Sequence, residues 1–185
     1  NTVLYTGNGG TQSVTGVGFQ PDFVWYKDRS AASAQLVVDA VRGSTKYLFT
    51  YATNAEETLT NQLTSFDSNG FSVSSGVAIN ASGDSYVAWN WKANGAGSSN
   101  TAGTITSTVS ANPTAGFSIV TYTGTGSNGS VGHGLGVAPS MIIVKGRTNT
   151  VAWVVYHSAL TAGYEIYLSA TNAQASSANF GSAPS

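Results

Sequence analysis

The chain has 185 residues, room for one or two domains, with 41% hydrophobic content but only 8% charged residues and a net charge of −1. That balance offers no basic footprint for nucleic acid and no polybasic anchor for a lipid surface, and the lack of cysteine excludes disulfides and thiolate metal sites. No apolar run approaches the length of a membrane helix, and an aromatic content of 11% separates the chain from charge-rich disordered sequences.

Asn1 stands where an initiating methionine would, so the expectation is a processed product or a piece of something longer. From there the apolar runs are short, rich in β-formers and separated by Gly, Asn and Ser. They predict strands at Val3–Thr6, Gln12–Val17, Phe23–Lys27, Leu36–Val41 and Lys46–Thr50. Ala52–Leu63 reads as a loop or short helical turn. Strands follow at Thr64–Phe66, Gly70–Val73, Gly76–Ile79 and Ser85–Trp91, with hairpin turns at Asp67–Gly70 and Asn80–Asp84. Ala93–Gly103 has the small polar composition of a flexible linker. Thr104–Ser110 alternates like a half-buried strand, and further strands are expected at Phe117–Thr123, Ser130–His133, Met141–Lys145, Ala152–His157 and Tyr164–Ser169. Many strands at short spacing argue for an all-β sandwich or barrel.

The chain nearly repeats itself. Pro21, Lys27 and Arg29 return as Pro139, Lys145 and Arg147, each 118 positions later. Tyr5-Thr6-Gly7 returns as Tyr122-Thr123-Gly124, Tyr47-Leu48 as Tyr167-Leu168, and Thr53-Asn54-Ala55 as Thr171-Asn172-Ala173. The pattern predicts tandem units from an internal duplication: a first copy at 1–92, a linker and connecting strand at 93–115, and a second, incomplete copy at 116–185 that lacks a counterpart of Ser85–Trp91. The strand gap leaves a sheet edge to be covered by a partner chain or by further sequence.

At Tyr5-Thr6-Gly7, Gly18-Phe19-Gln20-Pro21, Thr64-Ser65-Phe66, Gly83 to Trp89 and Gly134-Leu135-Gly136-Val137-Ala138-Pro139 the chain resembles a family of β-rich domains in predicted tail-fibre and other virion proteins of marine and cyanobacterial phages. The resemblance covers most of the chain, and its motifs are structural. It implies a lectin-like jelly-roll β-sandwich, a place on the virion surface, and partners that are other copies of the chain, other virion proteins or a cell-surface glycan. It supplies no catalytic residue to carry over.

Read residue by residue, the chemistry-bearing patterns are sparse. Gly124 to Gly129 fits a dinucleotide-loop spacing, but Ser130-Val131-Gly132-His133 cannot open the helix such a loop needs. The acids form no paired run of the glycosidase type, and adjacent Glu56 and Glu57 would point to opposite faces of a strand. His133 and His157 lie 24 positions apart, outside ligand spacing, so no metal, cofactor or catalytic residue is assigned. Both faces of Phe23–Lys27 are apolar, which puts Trp25 in the core, and Trp89 reads the same way. Trp91, near a strand end, stays a candidate. Matching the two copies gives Trp153 and His157 the positions of Gln35 and Asp39 on an outward face, where an indole suits sugar or protein contact. The leading expectation is a non-enzymatic virion structural protein. The rivals are a carbohydrate-binding module, which needs an exposed aromatic platform, a capsid-decoration protein, and a glycosidase, which needs paired carboxylates in one cleft.

Overall fold

A computed structural model of the chain describes residues 1–33, 35–177 and 179–180. The protein is all-β apart from one helical turn. In chain order it has β1 (Thr2–Thr6), β2 (Gln12–Thr15), β3 (Phe23–Asp28), β4 (Gln35–Asp39), β5 (Lys46–Phe49), β6 (Glu57–Thr58), β7 (Leu63–Asp67) and β8 (Gly70–Val73). Then come α1 (Val77–Asn80), β9 (Ser85–Trp91), β10 (Ser98–Asn100), β11 (Ser107–Asn112) and β12 (Phe117–Tyr122). The last strands are β13 (Met141–Val144), β14 (Val154–His157), β15 (Tyr164–Tyr167) and β16 (Ala175–Ser176). They form four sheets, ordered β1-β9-β3-β4-β5-β6, β2-β8-β7, β10-β11-β12 and β13-β14-β15-β16. Two compact units result, Asn1–Tyr47 with Thr58–Gly136, and Leu48–Glu57 with Val137 onward.

The core of the first unit follows from period-2 alternation. Val24 and Tyr26 of β3, and Tyr86 and Ala88 of β9, point inward and are buried. They meet the β2-β8-β7 sheet, where Phe71 packs edge-on against Tyr26 and Tyr5 at ring separations of 5.3 and 5.9 Å. Tyr5 stacks on Tyr86 at 5.2 Å. Burial drives the Tyr5, Tyr26 and Tyr47 hydroxyls to titrate far above the usual tyrosine range, so they stay neutral; Tyr5 Oη donates to the Ile79 carbonyl and Tyr47 Oη accepts from Leu63 N. Gly70 opens β8 at a φ of 153°, and a Cβ there would collide with the Val14 carbonyl across the sheet.

Several sequence expectations change. Gly76–Ile79, expected as a strand, is instead the turn of helix α1, because its polar groups are captured from outside. Tyr5 Oη donates to the Ile79 carbonyl at 2.6 Å and Tyr86 Oη to that of Val77 at 3.2 Å. Asn80, first residue of the turn expected over Asn80–Asp84, ends helix α1 and is fully buried, and its Nδ2 donates to the carbonyls of Gly10 and Ser74. Ala93–Gly103 is not a free linker, since Ser98–Asn100 pairs with β11. Ser130–His133 makes only a single bridge, from Val131 to Gly103.

A numerical coincidence links the two meanders β3–β6 and β13–β16. β5 and β15 differ by 118 positions at both ends, and so do β6 and β16. Phe23 pairs with Asp39 and Met141 with His157, again 118 apart on both strands. Four backbone hydrogen bonds repeat at the same offset. Ala40 to Asp22 matches Ser158 to Ser140, and Lys46 to Gly43 matches Tyr164 to Thr161. Ala52 to Phe49 matches Ala170 to Tyr167, and Leu59 to Thr45 matches Ser177 to Gly163. This register sets Tyr47 against Glu165, two positions away from the Tyr-Leu match seen in sequence. The correspondence stops at the flanks: β1 pairs with β9, whereas β12 pairs with β11.

Candidate functional site

The Ser85–Trp91 strand alternates, and its second face carries Val87, Trp89 and Trp91. Facing them on β3 are Phe23 and Trp25, because Trp25 lies directly opposite Trp89 and Phe23 opposite Trp91. The Trp25 and Trp89 rings meet edge to face at 6.1 Å. Phe23 meets Trp91 at 5.5 Å, and Phe117 from β12 closes the cluster, stacked on Trp91 at 5.9 Å and edge-on to Phe23 at 5.8 Å. Trp89 and Trp91 each remain 37% exposed, and Leu4 beside them on β1 is 63% exposed. Trp25 Nε1 is buried with no hydrogen-bond partner. The result is a continuous aromatic face on the first unit. Most of its rings stand edge-on to one another, so it offers grooves and ring edges rather than a flat platform.

This face departs from the sequence expectation at both tryptophans, for Trp25 is only half-buried. Trp25 and Trp89 were expected in the core, yet Trp89 lies partly in solvent. The signal that could have found the face is the direct pairing of F-x-W on one strand with W-x-W on its neighbour, once their adjacency is known. Trp91 keeps its place as a surface candidate.

Trp153 does not. Its side chain is buried, at 6% exposure, and its Nε1 donates to the carbonyls of Phe49 at 2.8 Å and Ala52 at 3.2 Å. Matching the copies expects it on an outward side with Val154 and Tyr156 inward; instead Trp153 and Val155 are buried while Val154 and Tyr156 are half-buried, because the segment Leu48–Glu57, within the same unit, supplies the carbonyls over Trp153. The Arg147 guanidinium fixes this segment through two hydrogen bonds to the Glu56 carboxylate at 2.9 and 2.8 Å, while Glu56 N donates to the Arg147 carbonyl. His157 is exposed at the end of β14, and its Nδ1 accepts from Ala159 N at 3.1 Å. His133 does the same for Leu135 N at 3.2 Å. The two candidates Trp153 and His157 therefore form no joint surface.

The buried carboxylates hold backbone. Asp22 accepts from Ala93 N, and Asp28 from Ser30 N, Ala31 N and the Ser33 hydroxyl. Asp39 accepts from Arg42 N and, at 2.6 Å, from Arg42 Nε in a buried ion pair. Burial would raise the Glu165 carboxyl, but hydrogen bonds from Ser177, Asn179 and Tyr167 outweigh it and hold the group below its ordinary range. Among the described residues, no three His, Asp or Glu side chains gather as metal ligands.

The whole length, residues 1–185, matches a family described as a domain of unknown function, DUF7483. The chain belongs to this family. No curated protein and no solved structure matches the sequence.

Proposed function

We propose that the chain is a non-enzymatic structural protein of a phage virion, a tail fibre or appendage built from tandem β-sandwich units of one ancestral design. The carrying observation is that the recurring features are architectural. Lys27 Nζ donates to the Ala31 carbonyl, and Lys145 Nζ to that of Asn149, 118 positions on in both donor and acceptor. The repeated lysine thus closes the same loop twice, and the repeated backbone bonds close the same turns. No reacting group recurs with them. A surface built from Ser, Thr and Asn with 8% charge suits packing against further copies. The virion assignment rests on the sequence resemblance to phage virion proteins.

Immunogold electron microscopy with antibodies against this chain, on purified particles of the phage that encodes it, tests the reading. Label on the tail or its appendages is the expected result. Absence of the chain from the particle proteome would overturn it.

The half-exposed Trp89 and Trp91 favour a second reading, a glycan-binding module. It predicts oligosaccharide binding that Trp89→Ala abolishes.

A further inference from the structure

We propose that the open edge of β13 is an acceptor site for a donor strand of the β9 type, carried by a partner polypeptide other than a second copy of this chain. This rests on the tandem-unit reading above. In the first meander β3 lies between two neighbours, β9 and β4. In the second, β13 is the terminal strand of its sheet and, among the described residues, pairs with β14 alone. The two strands are otherwise matched residue for residue: Phe23, Val24, Trp25 and Tyr26 correspond to Met141, Ile142, Ile143 and Val144.

The edge is apolar. Met141 is 50% and Ile143 40% exposed, on the face equivalent to the one where Phe23 and Trp25 meet Trp91 and Trp89. Protein edges are normally blunted by charge, proline or a bulge. None of Met141 to Val144 is charged or proline, and Lys145, next in sequence, turns its ammonium onto the carbonyls of Gly146 and Thr53. Desolvation there lowers its titration below the usual lysine range.

The occupant's chemistry is read from β9. In the first unit, Trp91, Asn90, Trp89 and Ala88 lie opposite Phe23, Val24, Trp25 and Tyr26. The donor should therefore run antiparallel to β13, with aromatic residues opposite Met141 and Ile143 and a small residue opposite Val144. Main-chain bonds supply the affinity and the aromatic alternation the register. A second copy of the chain cannot donate its own β9, which is enclosed between β1 and β3.

The probe is a fluorescently labelled Ser85–Trp91 peptide with a lysine tag for solubility, added to the full chain. Binding is read by anisotropy and by amide hydrogen exchange. Saturable binding that slows exchange at Met141–Val144 is expected, with a scrambled peptide and the Ile143→Lys variant each weaker by at least about tenfold, the loss of one buried aliphatic contact. Met141→Lys is the second variant, should Ile143→Lys disturb folding. Equal binding of the scrambled peptide, or peptide binding that leaves β13 exchange unchanged, overturns the proposal. So does a dimer of the chain that Ile143→Lys dissociates, since the occupant is then a second copy. Protection of the β14–β15 ladder separates the two levels of failure. If that ladder is protected while no peptide binds, the acceptor site fails and the tandem reading stands; if it exchanges freely, both fail.

Discussion

Asp39 and His157 stand at corresponding ends of corresponding strands, opposite Phe23 and Met141, yet one is buried in an ion pair and the other lies in solvent. Tyr47 and Glu165 form a second such pair. Both are fully buried, and both use a side-chain oxygen to catch a later segment: Tyr47 Oη accepts from Leu63 N at 2.8 Å, and Glu165 accepts from Asn179 Nδ2 at 2.9 and 3.1 Å. The two meanders share backbone hydrogen bonds at one offset, while the side chains that anchor them differ in chemistry. Register and turn geometry are fixed by many weak, distributed hydrogen bonds, so a single anchor can be replaced if its buried groups stay satisfied.

The largest effect should come where the second meander departs most from the first. Trp153→Ala removes a buried indole and leaves the Phe49 and Ala52 carbonyls without their donor, so it should cost about 3–5 kcal/mol. Denaturant unfolding followed by exchange at β14 and β15 reads it. A loss confined to surface association would return Trp153 to an outward position.

Next is the matched pair. Asp39→Ala breaks a buried ion pair and should cost about 3–5 kcal/mol, whereas His157→Ala should stay within about 0.5 kcal/mol. Equal costs in thermal unfolding would erase the distinction between the two strand ends.

Glu165 and Tyr47 differ in pH response. A carboxyl whose folded titration lies below its unfolded value of 4.5 adds stability above that pH and loses it as the pH falls through the folded value. Stability of the second meander should therefore drop below about pH 4.5, with Glu165→Gln flattening that slope. The first meander, anchored there by a phenol, should show no matching change from Tyr47→Phe. Chemical unfolding at a series of pH values checks both.

The smallest effect belongs to the aromatic face. Trp89→Ala should cost about 1–2 kcal/mol, because only part of its surface is removed from water. A cost as large as that of Trp153→Ala would make Trp89 a core residue.

Much of this arrangement was legible in the sequence. Alternation placed most of the strands, and the 118-residue offset of Pro, Lys and Arg found the register that the repeated hydrogen bonds share. The rest was hidden for physical reasons. α1 carries no helix signal of its own, and its turn is held by the Tyr5 and Tyr86 hydroxyls from distant strands. Ser98–Asn100 has a linker's composition but finds β11 as a partner. Face matching put Trp153 on an outward side, yet Val155 on that same side is buried too, and face matching knows nothing of the segment whose carbonyls take the Trp153 Nε1 donor. Trp89 and Trp25 read as core because a strand apolar on both faces does not reveal which face stays uncovered.

The most direct test of the two-meander account is amide hydrogen exchange of the monomeric chain without added peptide, resolved residue by residue across Phe23–Asp28 and Met141–Val144. β3 has a neighbour on each side, so its amides should be protected throughout. β13 has one among the described residues, so amides directed at β14 should be slow and the alternate amides fast. Uniform protection along β13 in the monomer, or free exchange along its whole length, would contradict the account.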